Sequence, residues 1–257
     1  MSVCTLHLLS LTSHPSIEPL LSVIPSLPAQ PLLVATPHHW VIAPEKLTVD
    51  PLLRSPHPWD AVIVFANNEP LPQALKGLVR GQWSLPFNVS TEMLDSLPAM
   101  NQRILHPQPG DIPPLKGSEG KQSDHADDTG DKDFEFAVTP ALRSWFRSFA
   151  PTSDGRRAVT MLNWLAFNPG GRERYMGGYV PAFAAGPGKS AGIAAKLIGA
   201  VDAEKHGGWE AVGIVHYPSI THFEEMLDSE SYKDVDRKYK FGVLKDTAIL
   251  CVSEFVV

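Results

Sequence analysis

Hydrophobic and polar positions alternate most legibly in the last hundred residues. VTMLNWLAF (159 to 167) is an apolar and aromatic run closed by Asn168-Pro169-Gly170-Gly171, and it predicts a strand. From 172 to 185, RERYMGGYVPAFAA places Tyr175, Tyr179 and Phe183 four apart on one face of a helix, which Gly177, Gly178 and Pro181 weaken. AAKLIGAVDA (194 to 203) predicts a second strand, and Gly207-Gly208 turns the chain into a third, WEAVGIVHY (209 to 217), forming a hairpin. Pro218-Ser219 ends that strand. Thr221 and Glu224 then form a T-x-x-E capping box ahead of Phe223, Met226 and Leu227. The helix resumes after Ser229 through Tyr232 and Val235, and AILCVSEFV (248 to 256) predicts a fourth strand. The order βαββαβ is the ferredoxin-like arrangement, an α+β fold.

The N-terminal third repeats this order in weaker form. VCTLHLLSL (3 to 11) predicts a strand, SIEPLLSVIPSL (16 to 27) a helix broken by prolines, and PLLVATPHHWVI (31 to 42) a strand. WDAVIVFANN (59 to 68) follows, then a helix in LPQALKGLVRGQW (71 to 83). Trp59-Asp60-Ala61-Val62 and Trp209-Glu210-Ala211-Val212 fall at the same place in both copies, which favours a duplication.

Between the copies, Pro107 to Asp133 holds Pro, Gly, Ser and alternating charges with almost nothing apolar to bury, as expected of a mobile linker or surface insertion. Thr139-Pro140 then supplies an N-cap and a first-turn proline. Leu142, Trp145, Phe146 and Phe149 recur at helical spacing, predicting a short amphipathic helix over 140 to 150. The expected organisation is a degenerate ferredoxin-like domain over 1–106, a linker over 107–133, and a second ferredoxin-like domain over 134–257 led by that helix.

Composition narrows the function classes. With 43% hydrophobic and 19% charged residues in 257, the chain is expected to be a soluble globular protein. A net charge of -6 offers no basic face for phosphates, so nucleic acid is excluded as a partner. Cys4 and Cys251 lie inside apolar strand-like runs and read as buried thiols rather than a disulfide or metal pair. MSVCTLHLLSL lacks a basic leading region and reads as a strand, and no run approaches the ~18 apolar residues of a membrane helix. Asn88-Val89-Ser90 matches a glycosylation sequon that is inert without a secretory route. A cytoplasmic protein is expected.

HYPSITHFEEMLDSESYKDVDRKY resembles the strand, Pro-Ser turn, helix and Ser-x-x-Tyr segment of the dimeric α+β barrel superfamily. MLNWLAFNPGGRERY is similar to the first strand and helix start of an uncharacterised branch related to EthD-like and YciI-like domains. The resemblance covers about 158 to 257. It implies two sheets packed face to face as a closed barrel, usually by dimerisation, with a ligand pocket between each sheet and its own helices. A fused pair would close the barrel within one chain, as a monomeric pseudo-dimer or a homodimer. Relatives include cofactor-independent monooxygenases, polyketide cyclases, lactone isomerases, haem enzymes and non-catalytic members, so the fold does not name the reaction.

Candidate chemistry is therefore read from side chains. His216 ends the third strand in the GIVHYPS turn and has the pKa range of a general base, or is a half-exposed turn histidine. Asn163 is an amide inside an apolar strand, placed to orient a substrate oxygen or to satisfy local backbone. Tyr175 and Tyr179, one helical turn apart, present two phenols to one cavity or pack as core. Trp164, Trp209 and Phe183 offer an aromatic wall for a flat apolar ligand. His38 and His39 are adjacent on a strand and are expected on opposite faces, and no spacing suggests a metal site. Gly186-Pro187-Gly188-Lys189-Ser190 lacks the first glycine of a P-loop and reads as a flexible loop able to cover the pocket.

The expected function is an enzyme without organic cofactor. It would isomerise, cyclise or oxygenate a small, partly aromatic or polyketide-like metabolite in the C-terminal domain. The alternatives are a non-catalytic small-ligand or structural barrel protein, and, third, a haem protein, for which no histidine stands in a ligation context.

Overall fold

The computed structural model describes residues 1–115 and 138–255. Eight strands carry the fold: β1 (Ser2–Leu11), β2 (Leu33–Ile42), β3 (Ala61–Phe65), β4 (Val79–Val89), β5 (Val159–Phe167), β6 (Ala194–Ala200), β7 (Ala211–Tyr217) and β8 (Leu244–Glu254). The first four are interleaved with α1 (Glu18–Val23), α2 (Val49–Leu53) and α3 (Gln73–Lys76), and followed by α4 (Thr91–Leu105). The second four are accompanied by α5 (Pro140–Phe149), α6 (Ser153–Arg156), α7 (Gly171–Arg174), a π-helical turn (Tyr175–Tyr179), α8 (Val180–Ala185), α9 (Pro187–Ser190), α10 (Ile220–Asp228) and α11 (Glu230–Tyr239).

The strands form one closed antiparallel barrel in the order β1-β3-β2-β8-β5-β7-β6-β4, with β4 returning to β1. Each half contributes a contiguous run with its strands in the same relative order, second, third, first, fourth. Two seams join the halves. β2 and β8 pair from Ala35 opposite Glu254 to Ile42 opposite Ile249, whereas β4 and β6 meet in register at Asn88 opposite Ala200.

The period-two alternation of each strand sorts side chains into three apolar layers. Residues from all eight strands, such as Leu6, Leu33, Val64, Phe87, Trp164, Leu197, Ile214 and Leu250, fill the barrel interior. Outside the N-terminal half, Leu9, Val34 and Ile63 pack under Leu20, Ile24 and Leu75. Outside the C-terminal half, Met161, Leu165, Tyr217 and Cys251 pack under α5, α10, α11 and the π-helical turn. The α4 helix caps one mouth: Leu97 enters the interior cluster, and Ile198 N donates to Met93 Sδ at 3.0 Å.

Several sequence expectations change. The helix expected over 71–83 is only Gln73–Lys76; beyond Gly77 the chain is β4, whose Leu85, Phe87 and Val89 alternate into the barrel. That strand and α4 had no counterpart in the hydrophobic pattern. The helix expected over 16–27 is α1 followed by a 3-10 turn at Ile24–Ser26, and the last strand begins earlier, at Leu244. The cap of α10 is Ser219, whose Oγ accepts from His222 N, so the Thr221 box does not form. Residues 187–190 of the glycine-rich segment form α9. Of the expected linker, 107–115 is described as turn and irregular chain, while 116–133 lies outside the described residues. No helix among the described residues is long and apolar enough to cross a membrane.

Candidate functional site

On the outer face of the C-terminal half, between β5, β7 and β8 and the helices that cover them, lies a narrow cavity of about 40 Å³. Alternation along β5 points Met161, Asn163 and Leu165 towards it, while Leu162 and Trp164 go into the barrel. Its polar groups include Asn163, Tyr175, Tyr179, Tyr217, Tyr232 and Lys240.

The π-helical turn and α8 bring the aromatic side chains into one stack. Tyr175 and Tyr179 rings lie 4.7 Å apart and stacked, and Phe183 continues the stack 5.6 Å from Tyr179. Close approach of α11 to this turn requires Gly178, where a Cβ would lie 2.6 Å from the Tyr239 ring. On α11 and just past it, Tyr232, Asp236 and Lys240 recur every four residues, so they share one helix face. That spacing signals the inward-facing polar stripe, which the sequence reading missed.

Lys240 is 6% exposed. Its ammonium is 3.3 Å from Asp236 Oδ1, 3.5 Å from the Tyr232 hydroxyl and 5.7 Å from the Tyr179 ring centre. Burial works against its charge, but Tyr179, Asp236 and Tyr175 outweigh that and push its pKa up. Burial also raises all four cavity phenols, Tyr175, Tyr179, Tyr217 and Tyr232. At neutral pH the cavity thus holds protonated hydroxyls around a charged ammonium. Asn163 Nδ2 donates to Met161 O at 3.0 Å and Gly213 O at 3.2 Å, which leaves its carbonyl oxygen to offer a ligand.

This arrangement donates hydrogen bonds from phenols and from an ammonium already paired with Asp236, so it suits an electron-rich oxygen. The histidine expected as its base is not among these groups. His216, expected beside these groups, alternates with Tyr217 and projects into the barrel with Val212 and Ile214. It is 2% exposed, and burial, then Lys196 and His222, lower its pKa to about 4. The sheet therefore separates it from Asn163, Tyr175 and Tyr179, which the structure does bring together.

The expected aromatic wall is likewise divided. Phe183 flanks the tyrosines, but Trp164 and Trp209 are interior residues. Trp164 packs against Trp40 and Trp83, and Trp209 Nε1 donates to Thr48 Oγ1 at 2.8 Å. His38 and His39 are not on opposite faces: a register shift between Pro37 and His39 turns both rings under α5, His38 against Phe149 and His39 against Trp145. Cys4 lies in the interior and Cys251 on the outer face; burial raises the Cys4 thiol to about 11 and Cys251 further. Among the described residues no group of three His, Cys, Asp or Glu side chains is arranged to hold a metal ion.

The fold and cavity define an α+β protein built on a closed eight-stranded antiparallel barrel. No protein-family model matches the chain, and no curated protein matches it. Among solved structures it is similar to a candidate monooxygenase from Fusobacterium nucleatum, at 10% identity over 98% of this chain and 92% of that one, TM-score 0.48. A candidate monooxygenase from Lactobacillus acidophilus shares 7% identity over 99% and 94% of the two chains, TM-score 0.43. A Rhodopseudomonas palustris protein of unknown function shares 20% identity over 46% of this chain and 95% of its own, TM-score 0.35. None of these likenesses speaks to ligand or reaction.

Proposed function

We propose that the protein is a small-molecule enzyme working without an organic cofactor, with the tyrosine and lysine cavity as its site. Its substrate is a partly aromatic or polyketide-like metabolite that presents a carbonyl or phenolic oxygen to Tyr179, Tyr232 and Lys240. Isomerisation or cyclisation, in which negative charge gathers on such an oxygen, fits these donors better than oxygenation does. The observation that carries the reading is the convergence of four phenols, Asn163 and one buried ammonium on a single cavity.

A volume of about 40 Å³ falls well below the ~300–1,000 Å³ usual for metabolite sites. Binding therefore requires the wall to move. The π-helical turn with Gly177 and Gly178 is the segment built to do so, since such turns strain the helical ladder. The small volume also favours a second reading, in which the chain is a structural barrel protein or binds a small ligand without transforming it.

We further propose that each half is a ferredoxin-like unit and that the two are fused copies divided at the linker, as a tandem pair of the α+β barrel branch that the sequence resembles; the shared strand order of the halves supports this reading. On that reading the chain closes its barrel without a second copy.

The test is titration of the purified protein with 2-hydroxyacetophenone, followed by intrinsic fluorescence and by NMR of the recovered compound, which distinguishes isomers. Saturable binding weakened about tenfold in Tyr179→Phe supports the site, the loss expected for one hydrogen bond to a charged or polarised oxygen. Equal binding by wild type and variant overturns it. Binding with the compound recovered unchanged selects the non-catalytic reading.

A further inference from the structure

The barrel interior is apolar over most of its length and polar at one end. Thr160, Lys196, His216 and Glu254 project inward there from β5, β6, β7 and β8. Lys196 sits at the bulge between Ala195 and Leu197, which turns its side chain to the inner side with Leu197. It is 1% exposed, with Nζ 2.5 Å from Glu254 Oε2, while Thr160 Oγ1 donates to Glu254 Oε1. Strand pairing sets Thr160 directly opposite His216.

A cavity of about 270 Å³ opens between the second half of α4 and the adjoining ends of β2 and β8. Glu254 forms part of its wall, together with Asn101 on α4 and the apolar side chains of Leu33, Leu97 and Leu105. Its volume is several times that of the tyrosine cavity. Two polar atoms at this end of the molecule, Asn101 Oδ1, an acceptor, and His216 Nδ1, a donor or acceptor according to tautomer, are buried without a hydrogen-bond partner in the protein. Buried polar atoms are normally satisfied, so the pair needs a reason.

Gln102 and His106 line the cavity as exposed residues, and the two more deeply placed polar groups, Glu254 and Asn101, share one demand. Each Glu254 oxygen already takes one donor and retains a further lone pair, and Asn101 Oδ1 takes none. Both therefore call for donors. Charge is already balanced by the Lys196–Glu254 pair: a cationic ligand would be set beside the Lys196 ammonium, and an anionic one would face carboxylate and amide oxygens. We propose that the barrel mouth under α4 is a second ligand site, independent of the tyrosine cavity. It takes a small neutral molecule that donates hydrogen bonds through hydroxyl groups to Glu254 and Asn101, with its apolar body against Leu33, Leu97 and Leu105.

Catechol and 1,2-dimethoxybenzene share a ring but only the first has donors, so they separate this recognition from simple apolar filling. Each is titrated into the intact protein by calorimetry, at millimolar ligand, alongside Asn101→Leu and Leu105→Trp, with circular dichroism to check folding. The expected result is saturable catechol binding, at least about tenfold weaker for the dimethoxy compound and for Asn101→Leu, and abolished by Leu105→Trp. Absence of saturable catechol binding overturns the proposal, as does equal affinity for the two compounds. Because the compound comparison is made on the unaltered chain, it decides the matter even where a variant fails to fold. Unchanged affinity in a folded Asn101→Leu protein overturns it as well.

Discussion

Asp60 and Glu210 make the same pair of contacts in the two halves of the barrel. Asp60 N donates to Leu9 O at 2.8 Å and its Oδ2 accepts from Leu11 N at 2.7 Å; Glu210 N donates to Leu165 O at 2.8 Å and its Oε1 accepts from Phe167 N at 2.9 Å. Each carboxylate follows a tryptophan, precedes a buried alanine, and holds the end of the first strand of its half.

A carboxylate bonded to a backbone N–H that is otherwise unpaired contributes about 1–3 kcal/mol. Asp60→Ala and Glu210→Ala are each expected to lose that much in urea denaturation, Asp60→Ala the more because it also gives up its contact with His14. Wild-type stability in either variant would show that the matching contacts are incidental to the fold.

Lys240 and Asp236 form a buried pair, so removing one partner differs from removing both. Lys240→Met leaves Asp236, 1% exposed in its side chain, without the cation it faces, and is expected to destabilise by about 3–5 kcal/mol. The double substitution Lys240→Met with Asp236→Leu is expected to recover most of that loss. Chemical denaturation of the three proteins checks it, and a double variant no better than the single one would refute the account.

Acid sensitivity follows from two buried histidines. His7 and His216 both titrate at about 4 in the folded protein, lowered from 6.5 chiefly by burial. Between these values the unfolded chain binds protons that the folded one refuses, so stability falls as pH drops from 6.5 towards 4 and is insensitive to these groups above that window. Each histidine is expected to cost about 3 kcal/mol by the lower limit. Melting temperature against pH measures this, and His7→Gln, which keeps a polar group near Ser84, should flatten the slope, the remainder coming from His216 and from His38 and His39, which burial also lowers.

How much of this was visible beforehand depended on whether a segment's neighbours matter. β5 was legible to the residue because an apolar run ends at Asn-Pro-Gly-Gly. β4 was not, since Leu71, Leu75 and Leu78 mimic a helix and the strand's outward residues, Gln82, Ser84 and Asn88, are polar. α4 carries Pro98 in its interior and commits only Leu97 deeply, so its apolar signal is faint. Tyr175 and Tyr179 could be placed together from local spacing, and Asn163 stood out as an amide inside an apolar strand. The four-residue spacing of Tyr232 and Lys240 was visible, but their place in the site required knowing that α11 packs against the π-helical turn. His216 shows the narrowest margin: one residue separates it from Tyr217, and that step is the difference between the barrel interior and the tyrosine cavity.

The weakest seam of the barrel gives the sharpest structural test. β4 and β6 meet in register at a single position, and beside it Gly199 allows the strands to approach so closely that a Cβ would lie 2.4 Å from Phe87 Cδ2 and 2.8 Å from Asn88 O. The second contact is backbone and cannot be relieved by a rotamer change, so Gly199→Ala must push β6 away from β4. Overpacking of this kind costs about 1–3 kcal/mol, and here it also opens the ring. Gly177→Ala, whose new methyl group would meet nothing within 4 Å, serves as the control for simple loss of a glycine. Faster hydrogen exchange at the backbone amides of β6 and β4 is expected in Gly199→Ala but not in Gly177→Ala; equal protection in both would mean that the seam tolerates separation and that closure rests on β2 and β8 alone.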